Sequence, residues 1–436
     1  MNVNIHNFNT LDFDSIAIQP EWNLPEKREN RMHSIHAYPA KFPAFITTKA
    51  IEKASQNGIT VNNIADIFCG CGTVAFESVC AGRNFWGYDI NPVATLIAST
   101  KSCSYDDCRI EAYYKSILEA FEVCQIDEQN SVYKNERINY WFSKTQIDLL
   151  LRLRTAIYTS VDNQKYLNFF LCAFSNILKP CSKWLTKSIK PQVDPNKAPK
   201  SPLEAFAFQI NMMRKANKEI EGIRGVAHIN TANFLEQQFD EPFIDLVVTS
   251  PPYVTSYEYA DLHQLSTLWL GYTDDFKTFR EGTIGSLFHS EDFQLNQDKL
   301  NKTGSEIVSS LAKVDRRKAK SVAQYYVDMQ LAISKVAKML NQNGACLFVI
   351  GNTEYKGIHI NNAQHLVECL ISEGFENIEV DRRKISNKIL TPYRDANGKF
   401  FYTFAIDFLQ RQGSRLLKIA EAERCPKRVR SAFWLR

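Results

Sequence analysis

No stretch of 18 apolar residues occurs in the 436-residue chain, and no basic segment followed by an apolar one opens it. Neither a membrane span nor a signal peptide is expected, and the chain reads as a cytoplasmic protein. Excess charge of one sign is also scarce, with 52 Lys+Arg against 48 Asp+Glu. That balance permits a polyanionic partner without demanding one, because a nucleic-acid face depends on local clustering. The eleven cysteines, an odd count, form no Cys-x-x-Cys pair. Reduced and mostly buried thiols are expected, and not a disulfide framework. Cys103 and Cys108 are too isolated for zinc, so no metal site is expected. No glycine turn is followed by Gly-Lys-Ser/Thr, which excludes a phosphate-binding loop, and there is no internal repeat. The length suits one large α/β domain with insertions, or two domains.

What is present is organised around residues 244–253. The apolar run 244–248 reads as a buried central strand that ends abruptly in Ser250-Pro251-Pro252-Tyr253. Two consecutive prolines lack N–H donors and fix φ, so the chain leaves the sheet in a stiff turn. In open α/β sheets, ligands bind at the carboxyl ends of strands. Ser250 Oγ and the Pro251 carbonyl can accept the hydrogens of an exocyclic amine, while Tyr253 can stack on the ring that carries it. The bland alternative is a proline-rich turn without chemistry.

A second constellation lies upstream. Asp66-Ile67-Phe68-Cys69-Gly70-Cys71-Gly72-Thr73 follows a short apolar strand and precedes a helical stretch over 74–81. Gly70 and Gly72 allow positive φ and close backbone approach, as a nucleotide-type site requires. The third glycine of the dinucleotide fingerprint is missing, since Phe76 and Glu77 occupy that region. A strand over 84–88 ends in Asp89-Ile90-Asn91-Pro92, and a carboxylate at a strand tip suits ribose hydroxyls. Earlier still, Tyr38-Pro39-Ala40-Lys41-Phe42-Pro43 sets a lysine between aromatics, ahead of a helix over 45–54.

Thr249-Ser250-Pro251-Pro252-Tyr253 resembles the catalytic motif of the amino-methylating DNA methyltransferases, which modify cytosine N4 or adenine N6. The turn 66–73 and the Asp89-Ile90-Asn91-Pro92 ending resemble their S-adenosylmethionine-binding motifs. This resemblance implies an α/β fold, a Rossmann-like doubly wound methyltransferase sheet with helical insertions. It also implies S-adenosylmethionine as cofactor, held by Asp66, Phe68, Cys69, Gly70, Gly72 and Thr73. Asp66 then faces the amino-acid end, Asp89 the ribose and Ile90 the adenine. The segment carrying Tyr38, Lys41 and Phe42 resembles the family's loop that closes over the methionine end. Cys71 stands where serine is commoner. Thr231 replaces an acid that the family often carries near the adenine, leaving Asn233 as a substitute contact or simply a helix cap. Pro180-Cys181 resembles the nucleophile dipeptide of the carbon-methylating cytosine enzymes, but lacks their surrounding pattern and reads as structural.

The resemblance covers a catalytic domain over 31–100 and 223–410. Residues 101–222 read as a helical insertion and candidate target-recognition region, with helical spacing over 140–159 and 167–178. Its Lys-rich stretch 179–202 is either a solvated connector or a DNA-contacting loop, with Lys187 and Lys190 as candidate phosphate contacts. A second candidate insertion, 254–320, contains His263, which reads as a packed or capping residue and not as a base. It ends in a basic cluster where Arg316, Arg317 and Lys318 are further candidates for DNA. Then come a helix from Val322 to near Gly344, a strand over 346–350, a helix over 363–372 and a strand at 378–380. A turn at Asn397-Gly398, an antiparallel strand over 400–408 and a basic tail, 411–436, complete the pattern. The function expected is site-specific methylation of a base flipped from double-stranded DNA. Serine before the two prolines favours cytosine N4 over adenine N6. A restriction system, with a separate cognate endonuclease, is the expected setting. An RNA amine methyltransferase and a binding module without transfer activity are the rivals.

Overall fold

The computed structural model describes residues 2–3, 13–23, 28–39, 41–127, 129–252, 254, 259–280, 282–284, 297–385, 401–407 and 417–420. Among the described residues nine strands form one sheet, seven of them β1 (Asn63–Asp66), β2 (Asn84–Asp89), β3 (Ala227–Thr231), β4 (Ile244–Thr249), β5 (Leu340–Ile350), β6 (Ile378–Ile385) and β7 (Phe401–Asp407). β1 lies between β2 and β4, β3 flanks β2, and β5 flanks β4, all in parallel. β7 runs antiparallel to both β5 and β6. Leu417–Ala420 pairs with β5, β6 and β7, and Asn2–Val3 pairs with β6. The parallel sheet closed by a late antiparallel strand is the form expected from the sequence. Its strand order reverses between β1 and β4, and a crevice opens there at the carboxyl ends.

Twelve α-helices are described: α1 (Ala44–Gln56), α2 (Thr73–Cys80), α3 (Pro92–Lys101), α4 (Asp107–Val123), α5 (Glu136–Trp141), α6 (Lys144–Ser160), α7 (Gln164–Ile177), α8 (Pro202–Lys218), α9 (Tyr259–Trp269), α10 (Lys302–Ala312), α11 (Arg316–Met339) and α12 (Asn362–Ser372). They share two apolar cores. One joins the strands to α1, α10, α11 and α12. The other joins α3 to the inserted helices α4–α8 and to α9. α2 serves both, with Val74 and Val79 in the first and Phe76 in the second. Among the described residues, no helix is long and apolar enough to cross a membrane. The ten described cysteines are free thiols.

Several boundaries differ from the sequence reading. The stretch 140–159 is not one helix. Phe142 is extended (φ −124°, ψ 149°), and Ser143 restarts the chain as α6 by accepting from Gln146 N. The third strand, which the apolar pattern places over 225–229, spans Ala227–Thr231. α10 lies within the polar stretch 272–320, where Ile307, Val308 and Leu311 are the apolar residues of its buried stripe. The basic cluster falls partly in the first turn of α11, capped by Asp315, and α11 stops at Met339 because Leu340 already pairs with β4.

The Lys-rich stretch is a packed loop and not a solvated connector. Trp184 is buried and stacks on Trp141 (5.0 Å between centroids, 21° between planes). Lys197 Nζ donates to the carbonyls of Lys179 and Trp184 (2.8 and 2.7 Å), and Lys179 Nζ donates to Ser188 O (2.7 Å). Two ammonium groups thus satisfy carbonyls that no sheet or helix serves. Cys181 is buried and its thiol is pushed up to about 12, which makes it inert. The turn at Asn397-Gly398 and most of the tail lie outside the described residues.

Candidate active site

The crevice at the switch point spans about 1260 Å³, a volume that includes the open solvent at its mouth. Its floor is the turn between β1 and α2. Asp66, at the end of β1, is buried, and its Oδ1 accepts from Phe68 N (3.0 Å) and from Thr249 Oγ1 (2.6 Å). One carboxylate therefore ties the glycine turn to the last residue of β4. Burial pushes Asp66 up to about 7; its two hydrogen bonds oppose the rise and the nearby Asp89 adds to it. Asp89, at the tip of β2, accepts from Gly70 N through Oδ2 and from Asn91 N through Oδ1, both at 2.8 Å. Burial raises it to about 6 against those bonds. Among the described residues, no basic side chain forms an ion pair with either acid.

The two glycines of the turn divide the work. Gly70 (φ 51°) lines the crevice, and a Cβ added there would meet Tyr38 Oη at 3.7 Å. Gly72 (φ 73°) begins α2 and does not line it; an added Cβ would lie 2.5 Å from Ala98 Cβ of α3. The ligand contact expected of Gly72 is thus replaced by close helix packing.

Of the other expected cofactor contacts, Tyr38, Lys41, Phe42, Asp66, Phe68, Cys69, Thr73, Asp89, Ile90 and Asn233 all line the crevice. Lys41 Nζ donates to His33 O (2.6 Å), and burial lowers its pKa. Asn233 is a helix cap as well as a wall residue. Its Oδ1 accepts from Leu235 N and its Nδ2 donates to Glu236 Oε1, both at 3.0 Å. Thr231 bonds Thr95 through the two hydroxyls (2.6 Å). Below the turn, fully buried Lys101 donates to Cys71 Sγ at 3.3 Å.

Ser250, Pro251 and Pro252 reach the same crevice from β4. Ser250 Oγ donates its proton to Val349 O of β5 (2.9 Å). Its lone pairs are left to accept from a ligand. Tyr253 lies outside the described residues. Wall residues that sequence reading missed are Ile67, Cys71, Asn91, Ala232, Phe234, His263, Thr267, Phe279, Gly282, Thr283 and Ile284. His263 and Thr267 stand one turn apart on α9, a spacing visible in the sequence; residues 279–284 carry no such signal. The candidate DNA residues are not at the crevice. Lys187 and Lys190 are exposed on the packed loop, and Arg316 and Arg317 are exposed at the start of α11. Lys318 turns back toward the catalytic segment, with Nζ 3.5 Å from Val254 O.

Strand order, glycine turn and strand-tip carboxylate are together those of the S-adenosylmethionine-dependent methyltransferase fold. The crevice fits that cofactor. Gly70 presents a bare backbone face, and Asp66, buried, and Asp89, half-buried, are acids to which ammonium and hydroxyl donors are complementary. A family profile described as DNA methylase matches residues 9–99. Type II methyltransferase M.MvaI of Kocuria varians is 24% identical over 393 residues, spanning 82% of this chain and 84% of that protein. These similarities support an amino-methylating DNA methyltransferase, with S-adenosylmethionine as methyl donor. A TehB-like SAM-dependent methyltransferase from Corynebacterium glutamicum matches 83% of this chain and 88% of its own (7% identity, TM-score 0.26). The rRNA methyltransferase aviRa from Streptomyces viridochromogenes matches 74% and 79% (11% identity, TM-score 0.26).

Proposed function

We propose that the protein methylates cytosine N4 in double-stranded DNA, as the modification enzyme of a restriction system. The observation that carries the chemistry is the Ser250 hydroxyl. Its proton is committed to Val349 O, so it meets an incoming amine as an acceptor. Together with the Pro251 carbonyl, it draws both amine hydrogens and concentrates lone-pair density on the nitrogen. Tyr253 stacks on the flipped base. Asp89 takes the ribose hydroxyls, Asp66 the amino-acid end and Ile90 the adenine of the cofactor. S-Adenosylmethionine supplies a methyl group already activated by its sulfonium, so the protein's contribution is orientation and exclusion of water.

Serine before the prolines, where related motifs carry aspartate, favours cytosine over adenine. Residues 31–100 and 223–410 are the catalytic domain in this reading. Target recognition falls to 101–222 and 254–320, where Lys187, Lys190, Arg316 and Arg317 meet phosphates. The kinship to a Type II methyltransferase supports the restriction setting.

The test is transfer of labelled methyl to unmethylated DNA, followed by digestion to nucleosides and separation by mass. N4-methylcytosine from wild type, and about 100-fold less or lower from Ser250→Ala, is the expected result. N6-methyladenine would move the base assignment. Label in RNA alone, or cofactor binding with no transfer to any DNA, would overturn the DNA reading.

A further inference from the structure

The loop that carries Tyr38 into the crevice is held by the inserted helices. Residues 35–39 belong to no helix or strand, so their backbone groups need partners from elsewhere. Two carboxamides supply them. Asn176 Oδ1, near the end of α7, accepts from Ala37 N (2.9 Å), and its Nδ2 donates to Gln209 Oε1 on α8 (2.8 Å). Gln209 Nε2 in turn donates to Ile35 O (2.6 Å). The N–H at one end and the carbonyl at the other fix the orientation of both amides, so the four groups form one directed chain. Gln209 is buried and Asn176 half-buried. Between the two ends, His36 Nε2 bonds Ser175 Oγ (2.9 Å), which bonds Ser266 Oγ of α9 (2.8 Å). Tyr38 follows directly. Its ring stacks on His263 of α9 (5.0 Å between centroids, 27° between planes), and its hydroxyl lies 3.7 Å from where a Cβ on Gly70 would stand.

We propose that Asn176 and Gln209 are positioning residues for the methyl donor and act through Tyr38: the two amides hold the backbone just before it and so keep its ring at the glycine turn. The proposal rests on the reading of this crevice as the S-adenosylmethionine site. Tyr38 lines the crevice, whereas neither amide does. Their effect on a ligand is therefore indirect, and the loop they bond is the route the structure offers. A segment without a main-chain ladder of its own is ordered by such side-chain bonds, and a ligand that meets it already ordered binds more tightly.

The test is isothermal titration of S-adenosylmethionine into the full chain, with Gln209→Met and Tyr38→Ala combined in a double-mutant cycle. Gln209→Met keeps the length of the side chain and loses its amide. Alone it should weaken binding about 10-fold. In the Tyr38→Ala background the same substitution should weaken binding less than about twofold further, because the ring it positions is gone. Asn176→Ala, at a half-buried site, should repeat both results, and it carries the cycle alone if Gln209→Met fails to fold. Equal losses in the two backgrounds would mean that the amides reach the cofactor by another route, and would overturn the proposal. A lowered melting temperature with an unchanged dissociation constant would make them structural only and also overturn it. If Tyr38→Ala alone left the affinity unchanged, the proposal would fall while the cofactor site stood. If wild type bound no S-adenosylmethionine, the cofactor reading itself would fall.

Discussion

A methyl group added to Gly70 and one added to Gly72 meet different surroundings, although the two residues share one turn. Gly72→Ala combines left-handed strain with overlap against Ala98 and should cost about 2–4 kcal/mol of stability in denaturant titration. Gly70→Ala carries only the strain, about 1–2 kcal/mol. It should instead weaken S-adenosylmethionine in a binding titration, because the new methyl enters the crevice. The two acids add a pH dependence. Their folded pKa values, about 7 for Asp66 and about 6 for Asp89, lie above the ordinary carboxylate value of 3.8. Raised acids stabilise the ligand-free fold at low pH, and that contribution is lost as pH rises through about 6–7. Cofactor ammonium and hydroxyls favour the ionised forms, so the thermal shift produced by S-adenosylmethionine should be larger at about pH 8 than at about pH 5.5. Asp66→Asn should remove most of the difference; a shift of equal size at both pH values would refute the coupling. Asp66, Asp89 and Ser250 were legible in the sequence because each ends a strand within a motif. His263 was not, since a lone histidine on an amphipathic helix looks the same whether it faces a core or a ligand.

The strands were the easiest elements to read. β4 is buried along nearly its whole length, so it appears as a continuous apolar run with turn residues behind it. The loop 179–202 was hard for the opposite reason. Its order comes from one indole and two lysines that bond backbone carbonyls, and lysines in sequence signal solvent. Trp184→Ala should cost about 3–5 kcal/mol in chemical denaturation. It should also weaken DNA binding while leaving the S-adenosylmethionine dissociation constant unchanged, if this loop carries Lys187 and Lys190 onto the duplex. DNA affinity that survives the substitution intact would remove the loop from the interface.

Across the whole molecule, charge is nearly balanced, so an interface with DNA must be built from local groups. The double variant Lys187→Ala/Lys190→Ala should lower the slope of log affinity against log salt by about 2, with sequence preference retained. An unchanged slope would place the phosphate contacts elsewhere. The inserted helices α4–α8 share a core with α3 and α9, which flank the crevice, and so they are built into its support. The spacing of apolar residues foretold helices here. It did not foretell their docking, because helical periodicity shows that a face is buried and not what covers it.

The bond between Asp66 and Thr249 spans 183 residues. On a ribosome, that separation is an interval of roughly 10–40 s at ordinary elongation rates. Through it the nascent chain already carries the glycine turn but lacks the hydroxyl that fastens it to the catalytic strand. The helices α4–α8, contiguous in sequence, emerge during the same interval and can bury their aromatic side chains against one another. All five of these helices are thus synthesised before the residue whose hydroxyl closes the bond.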